Sequence, residues 1–161
     1  MEANGTNCYI ENMEKALEHA HRAFAMGEVP IGCVIVQGDK IIAEAGNQRV
    51  TGKNVLYHAE ILAIDQACKV VNDWRLEDCT LYVTLEPCPM CAGAIVQARI
   101  PKVVYGAKSP KAGAAGSVLD ILNAPGLNHR VEVVSGVCED DCAALMREFF
   151  TRFRDKEKSS G

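Results

Sequence analysis

A chain of 161 residues, 48% hydrophobic and 24% charged, buries enough surface to fold as one domain without disulfide or metal staples. A net charge of −4 argues against a protein that coats nucleic acid, but not against one that grips a small folded RNA through a local basic patch. No apolar run approaches the roughly 20 residues that span a bilayer, and "MEANGTNCYIENMEK" lacks the basic start and apolar stretch of a secretory signal, so the expected location is the cytoplasm.

In chain order, Met13, Leu17, Ala20 and Phe24 fall at helical spacing from Asn12 to Met26, and "GEVP" stops the run. "IGCVIV" (31–36) and "IIAEAG" (41–46) flank the turn "QGDK" and predict a hairpin. Residues 59–71 read as a helix, "CTLYVT" (79–84) as a strand, and "MCAGAIVQAR" (90–99) as a helix that Pro101 closes. "KVVYGA" (102–107) and "VEVVSG" (131–136) are further strands, separated by a long connection of the kind that often carries function. Residues 139–154 form a last amphipathic helix, acidic in its first turn and basic in its last. Strands alternating with helices predict a three-layer α/β/α sandwich whose five-stranded mixed sheet is mostly parallel after the opening hairpin. The whole of 1–161 is expected to be one domain, with an ordered core of about 8–155.

Eight cysteines at irregular positions do not form the framework of a small secreted domain. Cys8, Cys33, Cys68, Cys79, Cys138 and Cys142 sit among apolar or helical neighbours and read as small buried or half-buried hydrophobes. Cys138 and Cys142, four apart, could share a helix face, but no further ligand stands near them. Arg147, Arg152, Arg154, Lys156 and Lys158 make the terminal helix basic, which by itself describes a solvated face.

The chemistry concentrates in "YHAE" (57–60) and "LEPCPMC" (85–91). Two residues apart in mid-helix means about 200° of rotation, so His58 and Glu60 converge only if His58 lies at the helix entrance. The pattern predicts that, since the helical period begins just after Glu60. Cys88 and Cys91 fall on one side of a first helical turn, where Pro87 and Pro89 are tolerated because the N–H groups they lack would be unpaired anyway. One imidazole and two thiolates suit zinc and leave the fourth tetrahedral position for water. A carboxylate that is not a ligand, here Glu60, can then move the proton. Each half alone is weak. Together, His-x-Glu opening one helix and Pro-Cys-x-x-Cys opening the next point to a catalytic site at one sheet edge.

With "VPIGCVIV", "HAEILAI", "LYVTLEPCPMCAGAI", "VVYGAKSPKAGAAGS", "LNHRVEV" and "CAALMREFFTRFR", the sequence resembles the bacterial tRNA adenosine deaminase family from about Met13 to Arg154. The resemblance implies a cytidine-deaminase-like fold, one zinc ion per chain, a homodimer needing no other protein partner, and conversion of the wobble adenosine of a tRNA anticodon stem-loop to inosine. It implies that His58, Cys88 and Cys91 hold the zinc and that Glu60 shuttles protons to and from an activated water. It further implies that Asn47 and Ala59 bind the flipped base, and that Asn128, His129, Phe149, Phe150 and Arg154 contact the anticodon loop. Read without the resemblance, Asn47 is equally a turn residue and the two phenylalanines are core packing. Ser109 departs from the family, where Asp is common beside the substrate backbone.

Three other readings share some of these residues. A deaminase of a free base or nucleoside (guanine, cytosine or cytidine) would use the same zinc residues, but it needs no "FFTRFR" ending. A zinc-stabilised binding module has no use for an unligated Glu60. A Cys88/Cys91 disulfide oxidoreductase would carry no metal.

Overall fold

The computed structural model describes the backbone of residues 2–160 and the side chains of residues 7–153. Helix α1 (Glu2–Ala25) leads into strands β1 (Gly32–Gln37) and β2 (Lys40–Gly46), then α2 (Ala59–Val71), β3 (Cys79–Leu85) and α3 (Pro89–Gln97). Strand β4 (Lys102–Ala107), the short β5 (Glu132–Val134) and α4 (Glu139–Ser160) complete the chain. The strands form one mixed sheet in the order β2-β1-β3-β4-β5. Strand β1 is antiparallel to both neighbours, while β3, β4 and β5 are mutually parallel. Four of the five strands therefore run one way, and the hairpin joins the sheet by its first strand.

The period of two along each strand sorts side chains between two cores. Cys33, Ile35, Leu81, Val83, Val103 and Tyr105 face one side and pack with Ala59, Ala63 and Ala67 of α2 and Ala92, Ile95 and Val96 of α3. Val34, Val36, Tyr82 and Val104 face the other side, against Met13, Ala16, Leu17 and Ala20 of α1 and Cys142 and Leu145 of α4. A side chain such as Ile35 or Leu81, with no exposed surface, contributes about 1.5–3 kcal/mol by its burial. Helix α1 lies so close to β1 that a Cβ on Gly32 would overlap the Ala16 carbonyl, which is why a glycine starts that strand.

Element ends differ from the sequence expectation in instructive ways. Helix α1 begins at Glu2 rather than Asn12, and Tyr9, beyond the apolar stripe, meets the Tyr82 ring and Lys102. Helix α3 stops at Gln97, before Pro101, since Arg99 takes a left-handed conformation with φ 61°. Strand β5 keeps only three of its expected residues. Helix α4 runs on to Ser160. No helix among the described residues is long and apolar enough to cross a membrane.

Candidate active site

The carboxyl ends of β2, β3 and β4 lie on one edge of the sheet, and the loops that leave them build the site. Such edges are where α/β sheets place their ligands, because helix N-termini and loop amides gather there. Beyond β3, Pro87 leads to Cys88, the N-cap of α3, with extended backbone (φ −74°, ψ 172°) and Pro89 in the first turn. His58 is the N-cap of α2, also extended (φ −75°, ψ 151°). His58 stands outside the helix and Glu60 inside it, so the angular conflict of mid-helix spacing disappears and both side chains turn to the same point.

The His58 Nδ1 atom is 3.6 Å from Cys88 Sγ and 3.5 Å from Cys91 Sγ. One donor atom from each residue lies within 4.8 Å of the others, and among the described residues no other group of three His, Cys, Asp or Glu converges in this way. A hydrogen bond from the Cys91 thiol, helped by the Cys91 and Met90 amides and by His58, holds the Cys88 thiol down to about 5 against the opposing effect of burial. The same hydrogen bond, with burial, pushes the Cys91 thiol up. A thiolate at a helix N-terminus is ready to meet a cation. Cys138 and Cys142 acquire no such partners, and Cys8 is exposed where a buried or half-buried cysteine is expected.

Glu60 is 4% exposed, and burial pushes its carboxyl up to about 7. Its Oε1 has no hydrogen-bond partner among the described residues. An orphaned buried carboxylate oxygen beside one imidazole and two thiols fits a divalent metal carrying a non-protein ligand better than a closed structural site.

Glu28, Asn47, Glu60, Thr84 and Glu86, the buried polar and charged side chains, all belong to this edge. Asn47 donates from Nδ2 to the Val29 carbonyl (3.3 Å) and accepts the Arg49 N–H at Oδ1 (3.2 Å). With Val29, Ile31, Arg49, His58 and Ala59 it lines a small cleft of about 90 Å³. Val29 also borders a larger groove of about 550 Å³ between the loop after β4 and α4, whose walls include Lys108, Ser109, Lys111, Met146 and Phe150. That loop is held by Glu86, which accepts the N–H groups of Ser109 (3.1 Å), Ala115 (2.9 Å) and Ser117 (3.1 Å) and the Ser117 hydroxyl. Any side chain on Gly113 would run into the Glu86 carboxylate. Glu28 and Glu86 are invisible to periodicity; their only sequence signal is a charged residue inside a helix stop ("GEVP") and before a proline ("LEPC").

The residues expected to meet RNA are dispersed. Phe150 is 47% exposed at the groove, whereas Phe149 is 6% exposed and packs edge-on against Phe24 and Phe150. Arg147 is exposed, and Arg152 pairs with Glu148 at 2.9 Å. The side chains of Arg154, Lys156 and Lys158 lie outside the described residues. Asn128 is exposed, and the His129 ring meets the Ile100 carbonyl at 2.7 Å, just before β4 begins. That is the sheet edge opposite Cys88, so one chain does not bring residues 128–129 to Glu60.

A family model described as MafB19-like deaminase matches residues 9–154. A tRNA-specific adenosine deaminase of Bacillus subtilis (strain 168) is 50% identical over 148 residues, covering 92% of each chain. The chain belongs to this deaminase family. A tRNA-specific adenosine deaminase of Streptococcus pyogenes (serotype M18, strain MGAS8232) is 46% identical to the deaminase, covering 92% of this chain and 93% of its own. A structure from studies of A-to-I editing by tRNA A34 deaminases at the wobble position matches the deaminase with a TM-score of 0.81 at 43% identity, over 84% of this chain and 98% of that one. A guanine deaminase from Nitrosomonas europaea matches it with a TM-score of 0.73 at 27% identity, over 87% and 83% of the two chains.

Proposed function

We propose that this deaminase converts adenosine to inosine at the wobble position of a tRNA anticodon, working in the cytoplasm as a homodimer with one zinc ion per chain. The observation that carries the chemistry is the convergence of His58, Cys88 and Cys91 beside a buried, half-unpaired Glu60. His58 through Nδ1 and the two cysteines through Sγ would hold the ion. Zinc bound there supplies a polarised water of lowered pKa.

Every other part of the reaction falls to side chains of the chain. Glu60, whose buried carboxyl exchanges protons near neutral pH, takes a proton from the attacking water and delivers it to N1 of adenine. Attack at C6 follows; Glu60 then takes the proton of the new C6 hydroxyl and hands it to the departing amine, so that the C–N bond breaks, ammonia leaves and the C6 carbonyl of inosine remains. Asn47 and Ala59 hold the base in the small cleft that they line with Val29, Ile31, Arg49 and His58. The groove with Lys108, Lys111 and Phe150 receives the backbone and a stacked base of the loop, since a cation and an aromatic face are what single-stranded RNA binds. Asn128 and His129, at the far sheet edge, would serve the site of the second copy.

The resemblance to a guanine deaminase keeps free-base deamination as the competing reading. Freshly purified protein is incubated with an anticodon stem-loop bearing wobble adenosine and, separately, with free guanine and cytidine, and its metal content is measured. Inosine in the stem-loop and about one zinc per chain are expected. Ammonia release from guanine or cytidine alone would replace this reading with the free-base one.

A further inference from the structure

Glu28 is a carboxylate with no exposed surface, it lies three residues beyond the end of α1, and the chemistry above does not use it. Its own N–H donates to the Ala23 carbonyl at 2.9 Å, which fixes it to the end of the helix. From there its side chain crosses to the loop between β2 and α2. Oε1 accepts the Val50 N–H at 3.1 Å and Oε2 the Thr51 N–H at 2.6 Å. The preceding amide of the same loop, Arg49 N–H, goes to Asn47 Oδ1. The residue after Glu28, Val29, takes the Asn47 Nδ2 proton on its carbonyl. The circuit is closed: Glu28 grips the loop, the loop grips one end of the Asn47 amide, and Val29 grips the other.

Burying an ionised carboxylate is unfavourable unless it is well hydrogen-bonded, so a buried charge is a demanding way to hold a mere turn. Its consequence is orientation. An amide group has two donors and two acceptor lone pairs. Asn47 spends one of each on the protein, and its remaining N–H and lone pair are left for the cleft that it lines with Val29, Arg49 and His58.

We propose that Glu28 is a positioning residue for the deamination: by holding the Arg49–Thr51 segment it fixes the Asn47 amide so that one donor and one acceptor meet the edge of the base. This rests on the reading of Asn47 as a base-binding residue. The test compares zinc-loaded wild type, N47A, E28Q and the double variant in steady-state deamination of the anticodon stem-loop. E28Q turns one carboxylate oxygen into an NH2 that faces a loop N–H. KM should rise about tenfold, the equivalent of one lost hydrogen bond to a charged group, with kcat falling by less than about threefold. In the N47A background the same change should add less than about twofold, because the two act in series. A merely structural Glu28 would lower the melting temperature and leave KM alone.

The inference is overturned if E28Q leaves KM within about twofold of wild type, if its loss lies in kcat alone, or if its effect is undiminished in N47A. An N47A enzyme with unchanged KM would instead remove the base-binding reading itself. Should E28Q not fold, T51P deletes both the amide and the hydroxyl contact of Thr51 with Glu28 and decides the matter: a KM raised about fivefold supports the inference, and an unchanged one ends it.

Discussion

At the scale of single residues, the site is a study in where a side chain leaves the backbone. His58 and Cys88 are both N-caps with extended backbone, which frees them from the helical period of Glu60 and Cys91 behind them. Substituting Glu60 by alanine should leave the metal content unchanged and lower turnover by at least about 10²–10⁴, the usual value of general acid–base help. Metal analysis alongside single-turnover kinetics checks this, and a variant with near-normal turnover would dismiss Glu60 as the proton carrier. Glu28 supplies a pH prediction. Burial is the largest influence on its carboxyl and acts upward, but the Thr51 amide and hydroxyl, the Val50 amide and the Arg49 charge together outweigh it and hold the carboxyl below its ordinary value. A carboxyl lowered by folding adds stability above the unfolded value, near 4.3, and that stability disappears as pH falls through the lower folded value. Urea denaturation between about pH 6 and pH 3 should therefore show a shallower acid loss for E28Q than for wild type. Parallel curves for the two proteins would mean that Glu28 contributes no such linkage.

At the scale of elements, the two helices α2 and α3 present their N-termini to one point because parallel-running strands β2 and β3 deliver them to the same edge. On the terminal helix α4, two neighbouring phenylalanines have different surroundings, and the proposed function gives them different jobs. Phe149 packs from α4 onto α1, its ring 5.8 Å from Phe24 and 4.2 Å from Phe153. Phe149→Ala should cost about 3–5 kcal/mol in chemical denaturation, as other buried aromatic truncations do. Phe150→Ala, at the exposed groove, should cost less than about 1 kcal/mol and weaken stem-loop binding by about 1–3 kcal/mol through a lost stacking partner. Fluorescence anisotropy with the stem-loop, next to urea melts of both variants, separates the two effects; equal stability losses would contradict the division.

At the scale of the whole molecule, the formal charge of −4 and the local basic groove pull in opposite directions. On the proposed reading, affinity for RNA comes from Lys108 and Lys111 of the groove with the exposed Arg147 of α4, and it should be salt-dependent. With about three phosphates neutralised, log K should fall with log salt at a slope near −2. A slope close to zero would mean that the groove meets no phosphate. A metal held by His58, Cys88 and Cys91 would link the site to folding in the same global way, since a ligand that binds only the native state stabilises it by mass action. Chelation with a strong zinc ligand should abolish deamination and lower the melting temperature, and added zinc should restore both. An apo protein with an unchanged melting temperature would place the metal outside the His58, Cys88 and Cys91 group.

The residue types and spacings of the metal group, the alternation of strands with helices, and the bounds of α2 and β4 were already legible along the chain, because each depends on a period or a motif within a few neighbours. So was the entry of His58 outside its helix, since the apolar period begins only after Glu60. Other features depended on contacts between distant segments. Tyr82 and Lys102 meet Tyr9 on the part of α1 ahead of Asn12, and β1 takes its place between β2 and β3 through pairing that no local pattern encodes. Phe149 and Phe150, adjacent and alike in sequence, part company only when α1 covers one of them. Glu28 and Glu86 carry no periodic or motif signal, and only folding brings loop amides to them from 22 or more residues away. A carboxylate becomes an anchor only where other parts of the chain bring it unpaired N–H groups, and that is a property of the three-dimensional packing.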